Sequence, residues 1–173
     1  MQSQPTTLLC RYGYDPLDRL TSHMLPGTPE RQRFYCKSRL ATEIQGSTKH
    51  SIVQHGDLLL AQRHVGDESL DTMLLVTDEQ RSVLHTIKEN NRRQSVAYSP
   101  YGHRHPENGL ISLLGFNGER LDSVTDHYLL GNGYRAFNPV LMRFNSPDSL
   151  SPFGKGGLNP YTYCLGDPIN FHD

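Results

Sequence analysis

His103 and His105 are the most obvious pair of residues whose type and spacing suggest chemistry. In a β-strand, side chains two positions apart point to the same face, so the two imidazoles could bind one metal ion. Pro106 follows at once, however, and no third ligand stands at a matching interval. A solvated loop explains the pair better, so we predict neither a metal site nor a cofactor.

Two further motifs, one for phosphate binding and one for a catalytic nucleophile, are not present in full. The stretch Gly-Lys-Gly-Gly at 154–157 lacks the Ser or Thr that follows the lysine of a phosphate-binding loop, and it lacks the upstream glycine. The Gly-x-Ser-x-Gly motif of a serine nucleophile does not occur in the sequence. The glycine-rich stretch is therefore interpreted as a flexible turn.

The cysteines and the first residues indicate where the protein is made. Cys10, Cys36 and Cys164 are odd in number and far apart, which favours reduced thiols in a protein synthesised in the cytoplasm. A Cys10–Cys36 disulfide is the alternative if their hairpins are adjacent. Residues 1–7 have no basic and no apolar segment of a secretory signal, and the longest apolar runs are too short to cross a membrane.

The charge balance gives no indication of a polyanionic partner. The 173 residues include 17 Lys and Arg against 18 Asp and Glu, so no overall field attracts a nucleic acid or an anionic membrane. Hydrophobic residues make up 35% of the chain, which is less than a compact globular domain usually has. We therefore expect much of the sheet surface to be either solvated or covered by a partner, which favours a piece of a larger assembly.

Turn-forming residues predict a mainly β fold. Fifteen glycines and eleven prolines divide the chain into short segments rich in Tyr, Phe, Val, Leu and Thr. The pair Arg19-Leu20 recurs as Arg39-Leu40, and the apolar segments 58–61 and 83–84 fall near the same interval. Two strands and two turns consume about this length. We predict an antiparallel sheet built as a ladder of β-hairpins.

The expected hairpins continue through the first half. Tyr12 and Tyr14 share a strand face, and Asp15-Pro16 opens a turn. Strands are predicted at 73–77, 83–87 and 95–98, which makes a meander. One group of basic residues is expected to line a solvated strand face rather than to bind anions: Arg31, Arg33, Lys37 and Arg39.

A polar stretch rich in Pro and Gly at 99–109 breaks this pattern. We therefore divide the chain into a hairpin segment, 1–98, and a second segment, 99–173, which together form one continuous structural unit. The second segment is rich in Gly, Asn, Pro and Tyr, which indicates packed irregular structure with short strands. A helical turn is predicted at 139–143, with Asn138 as its cap.

Motifs in both segments resemble a known family. The string at 12–20, Tyr-Gly-Tyr-Asp-Pro-Leu-Asp-Arg-Leu, resembles the YD repeat of bacterial Rhs proteins. Motifs in the second segment follow the order of the Rhs repeat-associated core domain: Tyr98–Gly102, Leu114–Arg120, Tyr128–Pro139, Arg143–Asp148, Asn159–Tyr163 and Gly166–Asp173. The second half carries the more specific part of the resemblance.

The resemblance implies a toxin-delivery protein. In this family, which includes Tc toxin C components, type VI secretion effectors and contact-dependent competition proteins, YD repeats form a β-sheet cocoon around a C-terminal toxin. The core segment closes one end. Because this chain has few hairpins and stops where a toxin would begin, the expectation is an end plug, either truncated or an orphan core. Expected partners are a C-terminal toxin domain or another Rhs/Tc shell component, and a chaperone or adaptor. Such a protein would leave the bacterial cytoplasm by a specialised secretion route.

The resemblance also implies an aspartyl autoprotease that cuts once, after the core, to release the toxin. By motif order the catalytic residues are Arg135, Asp148 and Asp173, with Asp167 as a competitor for the second aspartate. Two neighbouring carboxyl groups cannot both ionise cheaply, so one acts as an acid and the other activates water. Because the sequence ends at Asp173, the expectation is that this chain has no bond to cut, and the α-carboxylate adds a third negative group.

Two alternatives remain open at this stage. Asp148 follows Ser-Pro, where an aspartate often only caps a turn, and Arg135 is flanked by residues against which an arginine often only packs. The chain could also be a non-enzymatic binding module that recruits a chaperone, adaptor or toxin chain by strand addition to an exposed sheet edge.

Overall fold

The computed structural model describes residues 8–67, 69–105, 112–130 and 135–171. Within these ranges nine strands form one antiparallel sheet in which every strand lies beside its neighbours in sequence. The prediction of a mainly β fold is confirmed. The strands are β1 (Arg11–Tyr14), β2 (Leu20–Met24), β3 (Arg31–Cys36), β4 (Arg39–Gln45), β5 (Thr48–His55), β6 (Leu58–Val65), β7 (Leu70–Thr77), β8 (Val83–Lys88) and β9 (Arg93–Ser95).

The weak sequence repeat has a structural counterpart. In the four hairpins β1–β2, β3–β4, β5–β6 and β7–β8, the register shifts by one residue shortly before the turn. The residues opposite this shift are Leu20, Leu40, Leu59 and Val83, one in each hairpin. These are the positions that the sequence repeat marked. Each unit is therefore a hairpin with a β-bulge at a fixed place.

Side chains next to the bulges connect successive hairpins. The Tyr35 hydroxyl donates a hydrogen bond to the carbonyl of Leu20 at 2.8 Å, and the Gln54 amide donates to the carbonyl of Leu40 at 3.2 Å. In both cases the donor lies next to the bulge in the first strand of one hairpin, and the acceptor lies in the second strand of the preceding hairpin. Arg19 extends the same connection, because its guanidinium donates to the carbonyl of Lys37. The hairpins are thus linked at the side-chain level as well as by backbone pairing.

One face of the sheet holds an aliphatic core. Leu59, Met73 and Val83 are almost fully buried, and Leu114 from a later segment packs among them. Complete burial of such a side chain contributes roughly 1.5–3 kcal/mol. Ile52 and Leu75 complete the cluster. This face is therefore covered by the chain itself.

The same covered face also carries charge, which corrects one prediction. Arg31 and Arg33 are each only 8% exposed, so they do not line a solvated strand face. Their Nε atoms lie 3.3 and 3.1 Å from the carboxylate of Glu43, which is also buried. The prediction considered only the basic residues and missed the carboxylate that lies opposite Arg33 on the neighbouring strand. Lys37, in contrast, is exposed.

A second, three-stranded antiparallel sheet follows, made of β10 (Tyr128–Leu130), β11 (Arg135–Asn138) and β12 (Arg143–Phe144). It packs around an aromatic cluster of Phe116, Tyr128, Phe137, Phe144 and Tyr163, together with Cys164. Short 3₁₀ turns at Phe116–Gly118, Gly154–Gly156 and Cys164–Gly166 complete this region. The expected irregular structure with short strands is what these residues form.

Two local predictions for the strands and turns were wrong. The helical turn predicted at 139–143 is instead a tight turn at 139–142 between β11 and β12, although the Asn138 side chain does accept hydrogen bonds from Val140 and Leu141 at 2.9 Å. Met142 has φ 59°, which ends any helical course there. The strand predicted at 95–98 ends at Ser95, because Tyr98 leaves the sheet and packs against Phe116, with ring centres 5.8 Å apart.

The segment 112–130 crosses the covered face and joins the two sheets. Gln62 on β6 accepts a hydrogen bond from the Leu113 amide at 2.6 Å, and the Val83 amide donates to the carbonyl of Gly115 at 3.1 Å. At the far end, the Tyr12 hydroxyl donates to Asp122 at 2.9 Å. We call residues 112–130 the crossing segment. The domain boundary at 98/99 stays a prediction.

The described residues include no helix with the length and apolar character needed to cross a membrane. Cys10, Cys36 and Cys164 form no disulfide within the part of the chain that the structure describes.

Candidate functional site

Arg135 and Asp148 come together in the second sheet. Arg135 begins β11, and Asp148 lies in the turn that follows β12. The guanidinium Nη2 is 3.3 Å from Asp148 Oδ2, and both side chains are largely buried. The guanidinium carbon also lies 3.9 Å from the centre of the Phe144 ring, a distance at which a cation is attracted to an aromatic face. Asp148 and Phe144 thus hold the arginine from two sides.

The backbone around Asp148 is fixed by the chain that returns beside it. The Phe144 amide donates to the carbonyl of Tyr161 at 3.0 Å, and the Asp148 amide donates to the carbonyl of Pro160 at 2.8 Å. Asp148 Oδ1 accepts a hydrogen bond from the Leu150 amide at 2.9 Å. One carboxylate oxygen therefore caps a turn while the other faces Arg135. Asp148 thus has both roles at once, as a turn cap and as an ion-pair partner.

The ion pair lies in the wall of a cavity of about 620 Å³, which is lined both by the nine-stranded sheet and by later parts of the chain. Asp57 and Arg81 line it from turns of the nine-stranded sheet, and Arg39 lines it from the start of β4. The remaining polar lining residues come from those turns or from later parts of the chain: Glu79, Gln80, Asn117, Glu119, Arg135, Asp148, Lys155 and Tyr163. We call this space the main cavity. It is large enough to hold several residues of a peptide and carries side chains of both signs.

Glu119 is the most perturbed carboxyl group of the main cavity. Burial raises its pKa to about 7, although Arg39, Arg81 and Arg33 favour the charged form. Within the described residues its carboxylate makes no direct ion pair or hydrogen bond. A carboxyl group in this state holds its proton up to neutral pH, as acid catalysts do.

Of the three residues that the sequence predicted for catalysis, the structure describes two. Asp173 lies outside the described residues. The competing Asp167 accepts hydrogen bonds from the Asn170 amide and side chain at 3.3 and 2.8 Å, which is a turn-capping arrangement. Asp167 is absent from the main-cavity lining.

The other sequence motifs have simple structural settings. The rings of His103 and His105 are 6.3 Å apart, and across the described ranges no three His, Cys, Asp or Glu side chains come close enough to hold a metal ion. The glycine-rich stretch forms a 3₁₀ turn at Gly154–Gly156, and its Lys155 lines the main cavity.

Sequence reasoning missed several residues of this site. Glu119 and Arg120 stand in a motif that carried the family resemblance, yet no role was assigned to them. Arg81 and Asp57 lie in hairpin turns, where a charged residue is ordinary. The only usable signal was the run Gly118-Glu119-Arg120, in which two opposite charges follow a glycine directly.

The fold is similar to part of much longer chains in solved Tc toxin structures. A Photorhabdus luminescens Tc holotoxin pore with a mutated TccC3 matches with a TM-score of 0.69 and 15% identity, over 95% of this chain and 8% of that one. The structure named TcdB2-TccC3-TEV matches with a TM-score of 0.70 and 14% identity, over 100% and 9% of the two chains. For TcdB2-TccC3-Cdc42 the values are 0.55 and 14%, over 95% and 10%.

No family model and no curated protein sequence matches the chain. The chain spans about a tenth or less of each structural relative. At this level of identity the likeness concerns the fold, which is that of a segment of Tc toxin chains.

Proposed function

We propose that this chain is the core segment of an Rhs-type or Tc-type toxin-delivery protein and that Arg135 and Asp148 belong to a latent aspartyl autoprotease site completed by Asp173. The order of the sequence motifs and the likeness of the fold to Tc toxin chains support the first part. The observation that carries the second part is the Arg135–Asp148 ion pair in the wall of the main cavity.

The proposed reaction is the hydrolysis of one peptide bond after position 173. Asp148, as the carboxylate of the ion pair, takes a proton from a water molecule, whose oxygen attacks the peptide carbonyl carbon. A protonated Asp173 stabilises the carbonyl oxygen and then gives its proton to the departing amine. Arg135 keeps Asp148 oriented and offsets the negative charge that develops. The carbon–nitrogen bond breaks, and the carboxyl and amine products balance the water consumed.

The course of the last described residues supports this arrangement. Pro168 and Ile169 line a groove together with Glu79 and Gln80. Glu79 and Gln80 also line the main cavity, so the two spaces share the turn between β7 and β8. Pro168 and Ile169 therefore lie next to a turn that also borders the main cavity.

The proposed partners are a C-terminal toxin domain and other Rhs/Tc shell components, which the plug would hold or enclose. We also propose synthesis in the bacterial cytoplasm and export by a specialised route. A second candidate function, recruitment of a partner strand, is favoured by the edges of the nine-stranded sheet. Within the described residues, β1 and β9 each pair on one side only.

The first test uses a chain extended past Asp173 by a reporter domain. Mass spectrometry is expected to find one cut after position 173, and Asp148→Asn is expected to slow it by about 10²–10⁴-fold, because the amide cannot accept a proton from water. Asp167→Asn is the matched control, since Asp167 caps a turn outside the main cavity. It should leave the rate within a few-fold.

Equal cleavage in the wild type and Asp148→Asn would disprove the assigned role of Asp148. An extended chain that stays intact and binds a shell component through β1 or β9 would favour the second function. Circular dichroism of each variant separates loss of chemistry from loss of fold.

A further inference from the structure

A second, much smaller cavity lies between the nine-stranded sheet and the crossing segment, next to the main cavity. Its volume is about 30 Å³. Four arginines line it, one each from β3, β4, the turn before β8 and the crossing segment: Arg33, Arg39, Arg81 and Arg120. Glu119 is the single carboxyl group among its lining residues. We call this space the arginine cavity.

The positive charge around the arginine cavity is only partly neutralised. Arg33 and Arg120 contact Glu43 at 3.1 and 2.7 Å, but Arg31 shares the same carboxylate at 3.3 Å. Three guanidinium groups thus depend on one buried carboxylate. On the other side, Arg39 and Arg81 share Asp57, whose side chain is 82% exposed and therefore screened by water.

Two hydrogen-bond donors at the arginine cavity have no acceptor among the described residues. The Nε–H groups of Arg81 and Arg120 are buried, and neither has a hydrogen-bond partner among the described residues. A buried donor attached to a charged group is costly to leave unpaired. The other nitrogens of the Arg81 guanidinium do have acceptors: Nη1 donates to the Asp57 carbonyl at 3.1 Å, and Nη2 donates to Gln54 Oε1 at 3.0 Å. Both unpaired Nε–H groups belong to arginines that line this cavity.

The electrostatics of the two arginines agree with an excess of positive charge. Burial, together with the neighbouring Arg31 and Arg33, lowers the pKa of Arg120 to about 10 against the opposing effect of Glu43. The pKa of Arg81 is also lowered, by burial first and by Arg39 second. Each arginine would be stabilised by one more negative charge nearby.

Glu119 does not fully supply that charge. Across the described ranges its carboxyl group has no direct contact with an arginine within ion-pair distance, and its raised pKa keeps much of it protonated at neutral pH. The charged groups that face it are Arg33 of β3, Arg39 of β4 and Arg81 of the turn before β8.

We propose that the arginine cavity binds a small inorganic anion of the size of chloride, held by the Nε–H groups of Arg81 and Arg120. A cavity needs about 10–15 Å³ to hold one water molecule, so this volume suits a monatomic anion and leaves little room for an organic ligand. Gly118 keeps the space open, because a Cβ at that position would lie 3.0 Å from Arg81 Nε.

The test measures the melting temperature in chloride and in gluconate at constant ionic strength and pH 6. A ligand that binds only the folded state stabilises it in proportion to the logarithm of its concentration above the dissociation constant. Each tenfold rise in chloride in that range is expected to raise the melting temperature by about 3–6 °C for a chain of this size. Gluconate is too large for the cavity and should give no such rise.

Three variants make the test specific. Arg81→Gln should abolish the chloride response, whereas Arg93→Gln, which removes an equal charge from the exposed β9 strand, should keep it. In the wild type, the response should weaken between pH 6 and pH 8, because ionised Glu119 repels the anion. In Glu119→Gln it should be equal at both pH values. Crystals soaked in bromide should show an anomalous peak between the two Nε atoms.

A melting temperature that is the same in chloride and gluconate would overturn the proposal, as would bromide-soaked crystals with ordered water alone at this place. Strong destabilisation of Glu119→Gln without any chloride response would assign the role of counter-charge to Glu119 itself. None of these outcomes depends on proteolysis, so the anion site and the autoprotease can fail separately.

Discussion

The nine-stranded sheet and the region from residue 112 onward solve the same packing problem in different ways. In the sheet, most strands have five to eight residues, and each is paired with its neighbours along the meander. In the later region the strands have two to four residues, and a cluster of aromatic rings occupies the centre. Where backbone pairing is extensive, the chain can hold charged residues on a covered face. Where backbone pairing is short, large rings fix the structure.

The aromatic cluster is compact. The ring centres of Phe137 and Tyr163 are 4.3 Å apart, and both rings lie within 6 Å of Phe144. Phe137 is fully buried. These three residues come from β11, β12 and the segment after them. Their ring contacts therefore hold these segments together where backbone pairing is short. Arg135 packs on Phe144, so the candidate site depends directly on this cluster.

The largest effect is expected from Phe137→Ala, which removes the central ring. The lost contacts and the cavity left behind should lower the free energy of unfolding by about 3–5 kcal/mol. Urea denaturation measures this loss. Phe153→Ala is the matched control, since Phe153 is 79% exposed in the same region and should cost little. Amide exchange should show the loss first in β10–β12; an equal loss in β1–β4 would mean that the two regions unfold as one.

A smaller but still large effect is expected from Glu43→Gln, which tests the charged part of the sheet. The substitution keeps the shape of the side chain but leaves Arg31, Arg33 and Arg120 without their shared carboxylate. Removing one partner of a buried ion pair should lower stability by about 3 kcal/mol. Glu89→Gln, in the exposed turn after β8, is the control. A loss as small as in the control would show that this network contributes little net stability.

The smallest effect is expected from Arg19→Ala, which cuts one link between hairpins. Arg19 pairs with Asp15 at 2.6 Å, donates to the Lys37 carbonyl and lies 5.3 Å from the Tyr35 ring centre. Because the side chain is partly exposed, the loss should be only about 1 kcal/mol. Arg11→Ala on the exposed side of β1 should change the unfolding free energy by less. Equal losses would mean that the link adds nothing beyond general charge.

The sequence predicted the sheet better than the later region for a physical reason. Short runs of apolar and aromatic residues between glycines and prolines report on β-structure directly, and the interval between Leu20 and Leu40 reports on the hairpin unit. The burial of Arg31 and Arg33 could not be read in this way, since it depends on Glu43 of the next strand and on Arg120 far along the chain. The turn at 139–143 was misread because a Pro after an Asn begins a helix and a β-turn equally well.

The candidate site depends even more on contacts between residues that are distant in sequence, so less of it could be predicted. Arg135 and Asp148 were named from motif order, and the structure places them 3.3 Å apart. The main cavity that they line could not be predicted, because Asp57 and Arg81 reach it from hairpin turns far away in sequence. The perturbed Glu119 was missed for a related reason: its shift comes from burial, which sequence alone does not specify. Catalytic roles for Arg135, Asp148 and Asp173 stay predictions.

The bulge that recurs in each hairpin limits how such a chain can change in length. Adding or deleting one residue within a strand would reverse its inward and outward side chains, and the donors at Tyr35 and Gln54 would miss the carbonyls they now reach. Loss or gain of a whole hairpin keeps the inward and outward order of the side chains in the strands that remain. Viable insertions and deletions in relatives should therefore come in steps of one complete hairpin.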